Sequence, residues 1–181
     1  MNTFLTGAFI LIMTLGQPKL YEVGNESYIN QPKSLGYNDT KSILEKEKEL
    51  VFETKVKKIE KFLSSRDSPL TPYARDFVIN SDNLISPSLL VGISSAESSL
   101  GKHIPLESYN PFGLGCTGSS PCFRFSNYPD AIRTLAGTLR NHKAYKDFRE
   151  TGDIRLLSQK YMSGNRERWA STVKGVIEEI E

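Results

Sequence analysis

Apolar side chains recur at helical spacing through most of the chain beyond residue 41. The clearest run opens with Ser86, a capping residue, and Pro87 at the first helical position. Leu89, Ile93, Ala96, Glu97 and Leu100 then share one face, and Gly101 closes the run as a residue suited to a left-handed cap. The same reasoning predicts four more helices. Thr71 and Pro72 start one carrying Tyr73, Ala74, Phe77 and Val78. Pro129 opens another, with Ile132, Leu135, Ala136 and Leu139 aligned. Gly152 and Asp153 precede a short one bearing Ile154, Leu157 and Tyr161, and Arg166 to Ile180 turns Trp169, Val173, Val176, Ile177 and Ile180 inward. From Lys41 to Leu63 the chain is rich in charges of both signs and helical, with Val56, Ile59, Phe62 and Leu63 as a stripe in its second half.

The span between Leu100 and Pro129 lacks a sustained period. Cys122, Phe123, Arg124 and Phe125 read as one strand of a small hairpin, with Gly113, Leu114 and Gly115 near the other. The expected fold is mainly α: a helical globule with one small β or loop lobe, and a cleft between the two.

Residues 4–15 are apolar and uncharged, too short for a comfortable bilayer span and better suited to a signal-peptide core. Residues 1–16 are therefore expected to be a signal peptide or an N-terminal membrane anchor, although no Lys or Arg precedes the apolar run. Residues 17–40, rich in Asn, Ser, Tyr, Gly and Pro, read as a flexible linker. Residues 41–55 form a charged helical lead-in, and 56–181 the globular domain.

Composition narrows the function. The chain has 181 residues, room for one domain with a real core. A formal net charge of +2 gives no case for nucleic acid. The two cysteines, Cys116 and Cys122, bracket a turn-rich loop. Export makes a disulfide between them plausible, with a pair of free thiols as the alternative. The two histidines, His103 and His142, lack metal-ligand spacing and a nucleophile motif, so neither a metal site nor a serine or cysteine protease is expected. His103 reads as flanking or capping the Glu97 helix.

Glu97 is the one carboxylate on an apolar helical stripe. Burial there disfavours its charged form and raises its pKa. A carboxyl still protonated near neutrality is what general-acid cleavage of a glycosidic bond requires. A carboxylate salt-bridged at the edge of the stripe is the competing reading of this residue alone.

Three ordered blocks bear on the choice. Ala96-Glu97-Ser98-Ser99-Leu100-Gly101-Lys102 is followed by Tyr109-Asn110-Pro111-Phe112-Gly113-Leu114-Gly115, and then by Phe125-Ser126-Asn127-Tyr128-Pro129. With Tyr161 and Trp169 beyond them, the chain from Val56 to Ile180 resembles the bacterial β-N-acetylglucosaminidase family (mannosyl-glycoprotein endo-β-N-acetylglucosaminidase-like) of the lysozyme-like superfamily. Related lytic transglycosylases share the Glu-Ser helix.

The resemblance implies an α+β lysozyme-like fold, a peptidoglycan glycan strand as partner, and cleavage of β-1,4 bonds between amino sugars without a cofactor. Glu97 matches the general acid and later base. Ser98 either orients that carboxyl or is a plain surface Ser. Asn110 either holds the loop backbone, contacts an N-acetyl group, or makes an Asx-turn before Pro111. Phe112 and Gly113 shape the cleft floor. Tyr161 matches an aromatic near the scissile bond, yet it also continues a core stripe. Trp169 stacks on a sugar or packs in the core, and Tyr109 and Phe125 are further cleft candidates. Residues 113–127 carry no acid, which leaves Glu107 and Asp130 as candidates for a second one. A single-carboxylate mechanism is favoured, with hydrolysis or an anhydro product open, and a non-catalytic glycan-binding module as the contrasting reading. A monomer outside the cytoplasm, secreted or anchored by residues 4–15, completes the expectation.

Overall fold

The computed structural model describes residues 37–116, 121–161 and 164–181. The expected targeting segment, the linker up to residue 36 and the tip of the loop between the cysteines lie outside the described residues. The described chain is mainly helical. It runs through α1 (Tyr37–Ser64), α2 (Ala74–Ile79), α3 (Pro87–Ser98), α4 (Tyr128–Asn141), α5 (Lys146–Thr151), α6 (Ile154–Tyr161) and α7 (Arg166–Ile180), with 3-10 turns at Thr71–Tyr73 and Lys143–Tyr145. No helix among the described residues is long and apolar enough to cross a membrane.

α1 begins at Tyr37, so the last residues of the expected linker are already helical. Residues 40–51 are exposed all round, while Val56, Ile59, Phe62 and Leu63 are buried, as their stripe predicts. Each such side chain contributes about 1.5–3 kcal/mol of hydrophobic stabilisation.

α3 is the central element. Its Ser86 cap accepts a hydrogen bond from the Leu89 N–H, as the sequence implies. Its burial is wider than the one-sided stripe suggests: every residue from Pro87 to Ser94 is buried. The reason is that α1, α2, α4 and α7 all pack on it, α7 along most of its length. Gly92 makes the α7 contact possible, because a Cβ there would sit 2.9 Å from the Val173 carbonyl oxygen. Trp169, Val173, Val176 and Ile180 of α7 are buried in this interface or beside it.

The end of α3 departs from expectation. Gly101 does have positive φ, but the helix stops at Ser98, and Ser99 and Leu100 are left-handed as well. Their N–H groups close the last turn by donating to Ser95 O and Ser94 O. Ser68 Oγ donates to Leu100 O at 2.8 Å and holds this strained turn in the interior. α5 was not expected from the sequence. It is a helix of six residues with a single buried side chain, Phe148, too short to show a period.

The predicted hairpin is absent: no strand occurs among the described residues. Phe123 N donates to Leu114 O and Phe125 N to Ser108 O, but no ladder follows. Glu107, Tyr109, Gly113 and Gly115 all have positive φ, and four such turns within nine residues keep the backbone from the extended geometry a strand needs. Of the two alternatives for the cysteines, the disulfide is present, linking Cys116 to Cys122.

Candidate active site around Glu97

Glu97 lies on the last turn of α3, half-buried. The indole Nε1–H of Trp169, on α7, donates to its Oε1 at 2.6 Å. On the other side Gly113 presses against Oε2: a Cβ on Gly113 would sit 2.7 Å from that oxygen. Only glycine fits, since Gly113 also has a φ of +65°. Burial holds the Glu97 carboxyl above the ordinary carboxylate range, and the Trp169 hydrogen bond pulls against that shift without overturning it. Among the described residues no Lys or Arg forms an ion pair with it.

Tyr161 stands beside this pair. Its ring lies 5.3 Å from that of Trp169, and its hydroxyl donates to the Phe112 carbonyl at 2.6 Å. Burial, then the Glu97 charge, then Tyr145 push its pKa well above the usual phenol value. The phenol therefore stays protonated and spends that proton on backbone. Phe112 itself is fully buried, edge-on to Phe77. α3, α6, α7 and the 109–115 segment thus meet at one carboxyl group.

Ser98 and Asn110 both hydrogen-bond to the scaffold, which for Asn110 is one of the expected readings. Ser98 is buried and faces backbone: its Oγ lies 2.7 Å from Pro111 O and 3.0 Å from Ser94 O, and accepts from Gly101 N. It clamps the acid's helix to the loop, so it is not a surface Ser and makes no hydrogen bond to the carboxyl. Asn110 is buried too. Its Nδ2 donates to Leu114 O and Phe123 O, and its Oδ1 accepts from Leu114 N. That pattern holds the loop backbone and is not an Asx-turn before Pro111.

Trp169 is 3% exposed, which removes it as an open stacking surface and makes it the partner of the acid. Tyr109 is exposed, and Phe125 is half-buried against the core. The two candidate second acids do not join the cluster. Asp130 sits in the first turn of α4 and pairs with Arg133 at 2.6 Å, a site its charge suits. Glu107 is exposed on a turn of positive φ. His103 caps α3 through its backbone, its N–H donating to Ser98 O. No metal-binding cluster occurs among the described residues.

Residues not singled out from sequence also line up here. Tyr145 lies 6.5 Å from Tyr161, ring to ring, and burial raises its pKa. Its place in a short 3-10 turn gave no periodic signal. The Trp169 hydrogen bond was hidden for another reason: a stripe says that a side chain points inward, not which group it meets. No family model, no curated protein and no solved structure matches the chain.

Proposed function

We propose that this chain is an exported glycosidase that cleaves β-1,4 bonds between amino sugars of peptidoglycan, with Glu97 as general acid and base. One observation carries the reading. A single carboxyl, poorly hydrated and biased towards its protonated form, is held between an indole N–H and a glycine backbone. That is the state a general acid needs near neutrality. The lysozyme-like family resemblance supplies the substrate class, and the disulfide suits an oxidising compartment.

Protonated Glu97 gives its proton to the glycosidic oxygen as the C1–O bond breaks. The carboxylate that results takes a proton from the nucleophile attacking C1. No second acid reaches the described cluster, and this favours a one-carboxylate route. In that route the sugar's own acetamido group assists, or its own hydroxyl attacks C1 and closes an anhydro ring. The second outcome makes the enzyme a lytic transglycosylase.

The test is Glu97→Gln on purified peptidoglycan. The expected result is loss of cleavage by at least about a hundredfold, the scale of a removed general acid, with the circular-dichroism spectrum unchanged. Mass analysis of the wild-type digest separates new reducing ends from anhydro ends. Full cleavage by Glu97→Gln would refute the assignment. Binding to strands with no products from the wild-type chain would leave a non-catalytic glycan-binding module.

A further inference from the structure

Tyr109 occupies a costly conformation. Its φ is +46°, in the left-handed region that bulky side chains avoid. The surroundings impose it. Ser108 before it is buried, takes the Phe125 N–H on its carbonyl, and accepts the Asn110 N–H on its hydroxyl. Asn110 after it is the hub of the loop. Backbone strain of this kind persists only where neighbours over-determine it, and it collects at functional sites.

The strain does not serve burial. Tyr109 remains 40% exposed, although it is a large aromatic held by two buried neighbours. Its ring meets Tyr128 perpendicularly, with centroids 5.3 Å apart and planes at 89°. Tyr128 in turn meets Tyr73 at 5.3 Å. Tyr128 thus joins the other two rings into one cluster, and burial, with the nearby Tyr73 and Tyr109 phenols, raises its pKa. Edge-on packing braces the Tyr109 ring without stacking a second ring flat upon it.

Position relates this ring to the acid. Tyr109 is four residues before Gly113, which touches Glu97. Four residues span no more than about 14 Å even when fully extended. Phe77 of α2 packs edge-on to the buried Phe112, one residue before Gly113, and so anchors this end of the segment.

We propose that Tyr109, braced by Tyr128 and Tyr73, is a binding platform for the apolar face of an N-acetylated pyranose, seating the glycan to one side of Glu97. The proposal rests on the glycosidase reading for the kind of ligand. An exposed aromatic ring offers an apolar face, and the clustered phenols offer hydrogen bonds to sugar hydroxyls.

The test separates the platform from catalysis by working in the Glu97→Gln chain. That chain is titrated with the N-acetylglucosamine trimer by calorimetry and by tyrosine ring resonances. Tyr109→Phe should bind within about threefold of its parent, because the apolar face is retained. Tyr109→Gly should bind at least about tenfold more weakly, yet melt within about 3 °C of the parent, since glycine relieves the positive φ. Unchanged binding by Tyr109→Gly overturns the proposal. So does a parent that does not bind the trimer, and so does a Tyr109→Gly chain that binds weakly only because it has unfolded. Retained cleavage by Glu97→Gln would sink the catalytic assignment while this binding contrast still decides the platform.

Discussion

At the residue scale the site depends on how one carboxyl is solvated. Glu97 has a raised pKa, so the folded chain holds its proton more tightly than the unfolded chain. That contribution to stability is fully present below the ordinary carboxylate range and is lost as pH rises through the raised value. Trp169 works in the opposite sense, because its N–H favours the charged form. Trp169→Phe keeps a ring and removes the donor. The Glu97 pKa should then rise further, and under the proposed function the alkaline limb of kcat/KM should move up by about one pH unit, the worth of one hydrogen bond to a charged group. A pH profile of glycan cleavage checks this, and a limb that stays put or moves to lower pH contradicts it. The partial burial of Glu97 and its raised pKa were legible in the sequence because a carboxylate interrupts an apolar stripe. Ser98 was misread because a serine next to the acid looks the same in sequence whether it faces the carboxyl or a carbonyl of a distant loop.

At the element scale the fold turns on how closely α3 and α7 approach. Gly92 faces the Val173 backbone, whereas Gly137 of α4 has open space around the position of its missing Cβ. The same substitution should therefore have opposite effects. Gly92→Ala forces a methyl against a carbonyl oxygen and should destabilise by about 1–3 kcal/mol. Gly137→Ala should stabilise by about 0.5–1 kcal/mol through helix propensity. Denaturant titration of both variants tests the pair, and the idea fails if both shift the midpoint in the same direction. Helices with long apolar periods were legible, down to the bounds of α7. α5 was not, because six residues with one buried side chain carry no period. Nor was the lack of a hairpin: Glu107 and Tyr109 adopt positive φ without being glycine or asparagine, so composition gave no warning.

At the scale of the whole molecule, the mainly helical class followed from periodicity alone. The meeting of α3, α6, α7 and the 109–115 segment at Glu97 did not, since it depends on contacts between residues as far apart as Glu97 and Trp169. α1 divides into two unlike halves. Residues 40–51 are exposed, and the nearby ion pairs of Arg75 with Glu49 and Glu53 lie at the surface. Exposed pairs contribute little. A chain beginning at residue 51 should thus lose no more than about 1 kcal/mol of stability relative to one beginning at residue 37. Thermal melting decides this, and a collapse of the transition would mean that the first half of α1 is part of the folding unit.

The left-handed turn at Ser99, Leu100 and Gly101 has an electrical consequence. By stopping α3 one residue beyond Glu97, it leaves the acid on the last turn of a largely buried helix, the end at which the peptide dipoles turn their negative poles outward. A negative charge is unwelcome there even before solvent is counted. The backbone itself thus helps keep the proton on the acid.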